Sequence, residues 1–198
     1  DIPVTVKCRT GVDDNDDYEF LKSFISTVKD SGVKTFIIHA RKGILKGLSP
    51  RQNRNIPPLN YQKVYSIKDD FPDLEIIING GIKNISEAKN HLNFVDGVML
   101  GRAAYDDPFM LSDIDSEIYS NTKIEISRKD LLTEYLDYVH VMTKKGYDPK
   151  IMLKHVFGLK KGEKDAKRFR VKVAEIMNSS SLVLSLIHIS EPTRRAII

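Results

Sequence analysis

Three things are scarce in this sequence: cysteine, long apolar runs and, over one stretch, acidic side chains. Cys8 is the single cysteine among 198 residues, which excludes an internal disulfide framework and favours a reducing compartment, so we expect a cytoplasmic protein. No apolar run approaches the roughly 18 residues that a membrane span needs, so we expect no membrane partner. Between Asp30 and Asp69 there is no acidic residue but there are eight basic ones. Such one-sided charge favours a phosphate-bearing partner, although a solvated basic surface is the commoner origin of a charge run.

What is present is the composition of a globular protein, with 41% hydrophobic and 29% charged residues. Two short apolar runs, at 76–78 and 98–100, each end in glycine where a loop should begin. Runs of this length bounded by glycine predict parallel strands buried on both faces, and Ser86 is a candidate N-cap for a helix between them. In an eight-stranded β/α barrel, the loops after the last two strands commonly bind phosphate. We therefore predict an anion site at the segments that follow the two runs, which contain Asn79, Gly80, Gly81, Gly101 and Arg102.

Two strands predicted further upstream also carry functional side chains near their carboxyl ends. In the strand over 3–9, alternation places Lys7 inward in a barrel and Cys8 outward against a helix. We therefore expect Cys8 to be a small buried thiol and not a nucleophile. In the strand over 35–40, His39 lies at the carboxyl end beside basic residues. A lone histidine on a strand is usually structural, but this position favours a contact with a ligand.

Strands that start near 4, 35, 75 and 97 indicate four β/α units, which is half of an eight-unit barrel. We predict an α/β fold: the C-terminal half of a TIM (β/α)8 barrel over 1–112, a linker over 113–125 and a small all-helical domain over 126–178. Segment 106–122 is predicted to be a polar connection, and Ser127 to cap the first helix of the helical domain. Half a barrel exposes sheet edges and should not be stable alone. Residues 179–198 do not continue the pattern, and 184–195 resembles a translated sequencing-adapter read-through, so we expect a non-native or disordered tail.

The long loop predicted over 41–61 contains three prolines and five basic residues. Loops longer than about 15 residues in compact domains are usually functional or disordered. This loop and its neighbours resemble the tRNA-dihydrouridine synthases, most closely the A-type bacterial subgroup. The matching segments are VKCRTGVDD, FIIHARKGILKGLSPRQNRNIPPLNY, INGGIKN and DGVMLGRAAY, with a looser match at LKHVFGLKKGEKDAKRFR. NGG and GR occur in many flavin barrels, so the resemblance depends mainly on the long HARK…GLSP…NR…IPPL string.

The resemblance implies a β/α barrel that holds FMN, followed by a helical domain that binds tRNA. It assigns FMN contacts to Lys7, His39, Asn79, Gly80, Gly81, Gly101 and Arg102. It assigns tRNA contacts to Arg51, Arg54, Lys167 and Arg170, although the family usually carries arginine where this chain has Lys167. The implied reaction reduces a uridine of tRNA, by analogy in the D-loop, to 5,6-dihydrouridine. In it NADPH reduces FMN, a hydride passes from FMN to C6 of the uracil, and a cysteine acid protonates C5.

In the family, the cysteine acid lies in the first half of the barrel. The chain starts at Asp1 without methionine and enters a predicted strand almost at once, so we expect an upstream part that carries this cysteine and could carry an organellar signal. We expect the full protein to be a monomeric enzyme and these 198 residues to be inactive alone. Two other functions stay open. One is an FMN barrel oxidoreductase acting on a small molecule, similar to dihydroorotate dehydrogenases, and the other is a non-enzymatic RNA-binding module.

Overall fold

The computed structural model describes residues 2–119, 121–122 and 125–178. Contacts divide the chain into two compact units, Asp1–Gly101 and Arg102–Ile198. Within the described ranges, no helix combines the length and the apolar character needed to cross a membrane. The tail predicted over 179–198 lies outside the described residues.

The first unit is a repeating β/α structure around one parallel sheet. The sheet has four strands in the order β1-β2-β3-β4, and each strand pairs in parallel with its neighbours in the sequence. Its elements are, in chain order, β1 (Thr5–Arg9), α1 (Tyr18–Asp30), β2 (Thr35–His39), α2 (Pro50–Asn53), α3 (Tyr61–Asp70), β3 (Glu75–Asn79), α4 (Ile85–His91) and β4 (Gly97–Met99). The prediction of an α/β fold with a parallel sheet is confirmed.

One face of this sheet packs against helices and forms the core of the first unit. Phe36 and Ile38 of β2 and Ile76 and Ile78 of β3 are fully buried. The helices contribute buried side chains to the same core: Leu21 and Ile25 from α1, Val64 and Ile67 from α3, and Ala88 from α4. Ile77 points to the opposite face and is only half-buried. The prediction that this strand is buried on both faces is therefore wrong for the described residues, because the helices cover the face of Ile76 and Ile78.

Side-chain caps decide where α4 begins. Its N-cap is Asn84 and not Ser86 as predicted, since the Asn84 side chain accepts a hydrogen bond from Glu87 N at 2.8 Å. The Glu87 carboxylate in turn accepts from Lys83 N at 2.8 Å. This reciprocal arrangement satisfies two backbone donors at the helix start, which a serine already inside the first turn cannot do.

The long loop between β2 and α3 is folded. It contains α2, which sequence analysis did not predict and which begins with a capping box. Gln52 N donates to Ser49 Oγ at 3.3 Å, and Ser49 N donates to Gln52 Oε1 at 2.8 Å. Asn53, the last residue of α2, accepts from Ile44 N at 2.8 Å and donates to the Ile44 carbonyl oxygen at 2.7 Å. These bonds hold the basic residues of the loop on a defined backbone.

The second unit is built from helices in its described residues. They are α5 (Arg102–Asp106), a 3₁₀ helix at Pro108–Asp113, α6 (Ile114–Glu117), α7 (Arg128–Lys144), α8 (Pro149–Leu153), a 3₁₀ helix at Lys154–Val156 and α9 (Ala166–Asn178). Short helices therefore occupy much of segment 106–122, where a polar connection was predicted. Ser127 caps α7 as predicted, since its Oγ accepts from Asp130 N at 3.1 Å. The core of this unit brings together α7, α8 and α9, and its buried side chains include Leu132, Leu136, Val139, Leu153, Phe169, Val173 and Ile176.

Candidate functional site

The carboxyl ends of the four strands bring four side chains into one row. The register pairs Arg9 of β1 with His39 of β2, His39 with Asn79 of β3, and Asn79 with Met99 of β4. Three polar side chains therefore lie next to one another at one edge of the sheet. In parallel β/α sheets this edge is where ligands bind.

Lys7 lies two residues before Arg9 on the same face of β1 and reaches across the sheet to Asn79. Its Nζ donates to Asn79 Oδ1 at 3.3 Å, while Asn79 Nδ2 donates to the Met99 carbonyl oxygen at 2.8 Å. The bond to Met99 orients the amide so that its oxygen faces Lys7. Partial desolvation, followed by the charge of Arg9, lowers the pKa of Lys7. A cation held in this way can stabilise negative charge on a group bound at the strand ends.

The two glycines after β3 adopt left-handed backbone conformations, with φ of +114° at Gly80 and +74° at Gly81. A Cβ added at Gly80 would lie 2.5 Å from His39 Cδ2, so the imidazole packs directly against the glycine backbone. A Cβ added at Gly81 would lie 2.5 Å from Leu59 Cδ1 and 3.0 Å from Tyr61 Oη. The segment therefore needs glycine both for its conformation and for its packing. A backbone of this kind can present its N–H groups to an anion.

Arg9 connects the strand ends to the long loop. Its Nη1 donates to the carbonyl oxygens of Lys42 at 2.9 Å and Asn53 at 3.0 Å. Burial lowers the pKa of Arg9, and the charges of Arg41 and Arg54 lower it further. Arginine stays protonated in proteins, and the smaller Coulombic influence of Arg41 and Arg54 means that their positive charges lie near that of Arg9. An anion bound among these charges would relieve the repulsion between them.

Several of these side chains line one open cavity of about 870 Å³. Its polar part is formed by Lys7, Arg9, His39, Arg54 and Asn79, and its apolar part includes Phe20, Phe24, Ile44 and Leu45. The volume falls within the range of small-molecule sites, roughly 300–1,000 Å³. The structure thus brings together three residues predicted to contact a cofactor and one predicted to contact RNA.

The other predicted residues lie elsewhere. Gly101 follows β4 and is exposed, with open space where a Cβ would be. Arg102 is the first residue of α5, in the second unit. Arg51 is exposed on α2, and Lys167 and Arg170 are exposed on α9. The cofactor and tRNA roles of these residues stay predictions.

The surroundings of Cys8 make its thiol unreactive. Its side chain packs against the helix-covered core of the first unit. Burial raises the pKa of the thiol to about 11, which outweighs the opposite influence of Lys7. The thiolate is the reactive form of cysteine, so at neutral pH this side chain is a poor nucleophile.

Sequence reasoning missed two residues of the site, Arg9 and Tyr61. For Arg9 a signal was available, since it alternates with Lys7 on the inward face of β1. For Tyr61 there was none. It lies 19 residues before Gly80 in the sequence, and only the fold brings its hydroxyl within 2.8 Å of the Gly80 carbonyl oxygen.

The chain is an α/β protein with a parallel sheet, and cationic and amide side chains beside a glycine segment at the strand ends are typical of sites that can bind anions. The family model described as "Dihydrouridine synthase (Dus)" matches residues 1–194. The chain therefore belongs to the dihydrouridine synthase family, as its motifs predicted.

Curated relatives carry the name tRNA-dihydrouridine(20/20a) synthase. The protein of Shewanella oneidensis is 46% identical over 175 residues, which are 88% of this chain and 52% of that protein. The protein of Vibrio cholerae is 45% identical over 88% of this chain and 54% of its own length, and that of Pasteurella multocida is 40% identical over 94% and 57%. The chain spans about half the length of these relatives. A solved structure of the Salmonella typhimurium RcsB response regulator covers 94% of this chain at 13% identity, but its TM-score of 0.29 carries no inference.

Proposed function

We propose that this chain is part of a tRNA-dihydrouridine synthase that uses FMN and NADPH to reduce uridines 20 and 20a of tRNA. The observation that carries the proposal is one cavity lined by Lys7, His39 and Asn79 together with Arg54. The first three suit a flavin, and the last suits a phosphate of RNA. In this proposal the four β/α units are half of an eight-stranded barrel, and sequence outside this chain supplies the other half.

The residues of the first unit fit FMN by their chemistry and their space. The cavity of about 870 Å³ combines cationic and amide groups with an apolar side, as a ring system with a charged tail requires. Gly80 and Gly81 carry no side chain of their own that would screen their backbone N–H groups, and the Cβ position of Gly101 is open. We assign the phosphate to these three glycines and to Arg102, whose planar guanidinium suits a phosphate. We assign the ring system to Lys7, His39 and Asn79.

When bound, FMN that has been reduced by NADPH supplies the hydride that adds to C6 of the uracil. The role of Lys7 is to hold positive charge near the ring system, where it stabilises negative charge. Asn79 positions Lys7 through the 3.3 Å contact with Nζ, and the Met99 carbonyl keeps Asn79 in the required orientation. His39 contacts the cofactor from the neighbouring strand end.

The proton that completes the reduction at C5 has to come from another part of the protein. Cys8 is the single cysteine among the 198 residues, and its half-buried side chain packs against the core. The curated relatives are about twice as long as the matched region. We therefore assign the cysteine acid to sequence outside this chain, and we expect these residues alone to be inactive.

Four basic side chains are assigned to the tRNA: Arg51, Arg54, Lys167 and Arg170. Arg51 and Arg54 lie in the loop between β2 and α3, where hydrogen bonds hold the backbone in place. Lys167 and Arg170 lie on the exposed side of α9. Because the target base has to leave its stack to reach the strand ends, contacts with the surrounding phosphates would hold the RNA while the base is extruded.

The decisive experiment measures dihydrouridine in tRNA from a strain that lacks the gene, together with the flavin absorbance of the purified full-length protein. We expect unmodified uridines at positions 20 and 20a, restored by the wild-type gene, and a protein that carries flavin. A flavoprotein whose loss leaves tRNA unchanged would instead be an oxidoreductase of small molecules. A protein without flavin would instead be an RNA-binding module, and either result overturns the proposal.

Arg54→Ala tests the RNA contact separately from the cofactor. We expect tRNA affinity to fall by about tenfold to a hundredfold with FMN affinity unchanged, since a hydrogen bond to a charged group is worth about 1.5–3 kcal/mol. Lys34→Ala is the matched control, because it removes an exposed charge just before β2, at the amino-terminal ends of the strands and away from the candidate site. Intact tRNA binding in Arg54→Ala, measured by filter binding at fixed salt, would contradict this role.

A further inference from the structure

We propose that Tyr61 is a positioning residue that aims the glycine segment after β3 at the phosphate of the cofactor. The inference rests on the proposed function, which assigns that phosphate to Gly80 and Gly81. Tyr61 is the first residue of α3, and its hydroxyl donates to the Gly80 carbonyl oxygen at 2.8 Å. Its role follows from the geometry of the peptide unit that this carbonyl belongs to.

The Gly80 carbonyl and the Gly81 N–H are parts of the same peptide unit. That unit is planar and trans, so its C=O and N–H point in opposite directions. A hydroxyl that holds the carbonyl toward α3 therefore turns the Gly81 N–H away from α3. The two residues have φ of +114° and +74°, and glycine reaches such values as easily as negative ones. The backbone alone therefore does not determine the direction of this N–H, and an external contact has to do so.

The side chain of Tyr61 is itself held in place by neighbouring aromatic rings. Its ring packs edge-on against the imidazole of His91 on α4, with 4.4 Å between the ring centroids. His91 is 8% exposed, and its Nδ1 forms a 2.7 Å hydrogen bond with the hydroxyl of Tyr65. Tyr65 in turn stacks on Phe94, with 4.5 Å between centroids. A side chain that packs against a buried histidine of a second helix loses little further freedom when it makes its hydrogen bond, which suits a positioning role.

The test compares Tyr61→Phe with Tyr18→Phe in the full-length protein. The control removes a hydroxyl that also bonds a backbone carbonyl oxygen in the same unit, that of Ser66 at 2.9 Å, and that contacts the Asp70 carboxylate at 2.6 Å as well. Apoprotein is titrated with FMN and with riboflavin, which lacks the phosphate. We expect Tyr61→Phe to weaken FMN binding about fivefold, the loss of one ordinary hydrogen bond, and to leave riboflavin binding unchanged. Tyr18→Phe should change neither affinity.

Each outcome has a definite meaning. Equal weakening of FMN and riboflavin, or no change in either, overturns the role of Tyr61. If riboflavin binds the wild type too weakly to titrate, the ³¹P chemical shift of bound FMN decides, and an unchanged shift in Tyr61→Phe also overturns it. If the wild-type protein binds no FMN, the proposed function fails and this inference fails with it. If the Tyr61 hydroxyl only stabilised the fold, Tyr61→Phe would lower the melting temperature, as Tyr18→Phe does. It would not then affect the affinity for FMN differently from the affinity for riboflavin.

Discussion

Replacement of Gly80 by alanine should be unusually costly, because two separate penalties meet at this position. The first is conformational: φ is +114°, and a left-handed conformation costs a residue with a Cβ about 1–2 kcal/mol. The second is steric, since the new Cβ would lie 2.5 Å from His39 Cδ2 and 2.8 Å from His39 Nε2. Overpacking of this kind adds about 1–3 kcal/mol. We therefore expect Gly80→Ala to lower the free energy of unfolding by about 2–5 kcal/mol.

Gly32→Ala isolates the first penalty. Gly32 has a φ of +94° and nothing within 4 Å of its Cβ position, so only the conformational cost applies. The assay is equilibrium urea denaturation of the full-length protein, followed by far-ultraviolet circular dichroism. The difference between the two variants, about 1–3 kcal/mol, then measures the steric crowding at Gly80, which comes mainly from His39.

A double-mutant cycle tests the steric part directly. In a His39→Ala background the obstructing ring is absent and only Leu59 Cδ2, at 3.2 Å, stays close to the new Cβ, so Gly80→Ala should cost little more than Gly32→Ala does. Gly80→Ala should also weaken FMN binding, whereas Gly32→Ala should not, because Gly32 lies at the end of α1. If Gly80→Ala costs no more than Gly32→Ala in the wild-type background, the close packing of His39 on this glycine is refuted.

Two further predictions concern titrating groups. Burial raises the pKa of Cys8 to about 11, so iodoacetamide at pH 8 should alkylate the thiol slowly in the folded protein and rapidly in urea. Mass spectrometry measures the two alkylation rates. Equal rates would contradict the burial of Cys8. Burial lowers the pKa of His91 below 6.5, although Glu87 acts in the opposite direction, and the ring of Tyr61 and the hydroxyl of Tyr65 contact the imidazole. On acidification the unfolded chain therefore binds this proton first, so the stability due to neutral His91 is complete above about pH 6.5 and is lost as the pH falls through the lowered pKa. Urea denaturation from pH 7 to pH 5 should show a steeper loss for the wild type than for His91→Gln, and parallel curves would contradict the assignment.

Much of the first unit could be predicted from local patterns. The strands containing Lys7, His39 and Asn79 were placed correctly because short apolar runs ended by polar residues or glycine are a local signal. Alternation along β1 correctly separated Lys7 from Cys8, since successive side chains on a strand point to opposite faces whatever the strand packs against. The family could also be recognised, because its motifs are contiguous strings of residues.

The features that were predicted wrongly, the N-cap of α4 and the burial of β3, depend on competition between neighbouring capping residues or on packing. Ser86 and Asn84 are both acceptable N-caps, and Asn84 prevails because the Glu87 carboxylate reaches back to Lys83 N at 2.8 Å. The burial of Ile77 could not be predicted either, because an apolar run does not say whether a second layer covers its other face.

The sequence by itself determined the class of fold, the inward positions on each strand and the chemistry of the side chains there, because these follow from periodicity and residue type. Only the tertiary structure decided which of those side chains meet. Lys7 and Asn79 are 72 residues apart, yet the register of three parallel strands brings Nζ within 3.3 Å of Oδ1. Tyr61 reaches the Gly80 carbonyl because α3 packs beside β3, a contact that no spacing in the sequence predicts. Register and helix packing are set by the whole core at once, so the geometry of a candidate site built from several strands is a property of the fold.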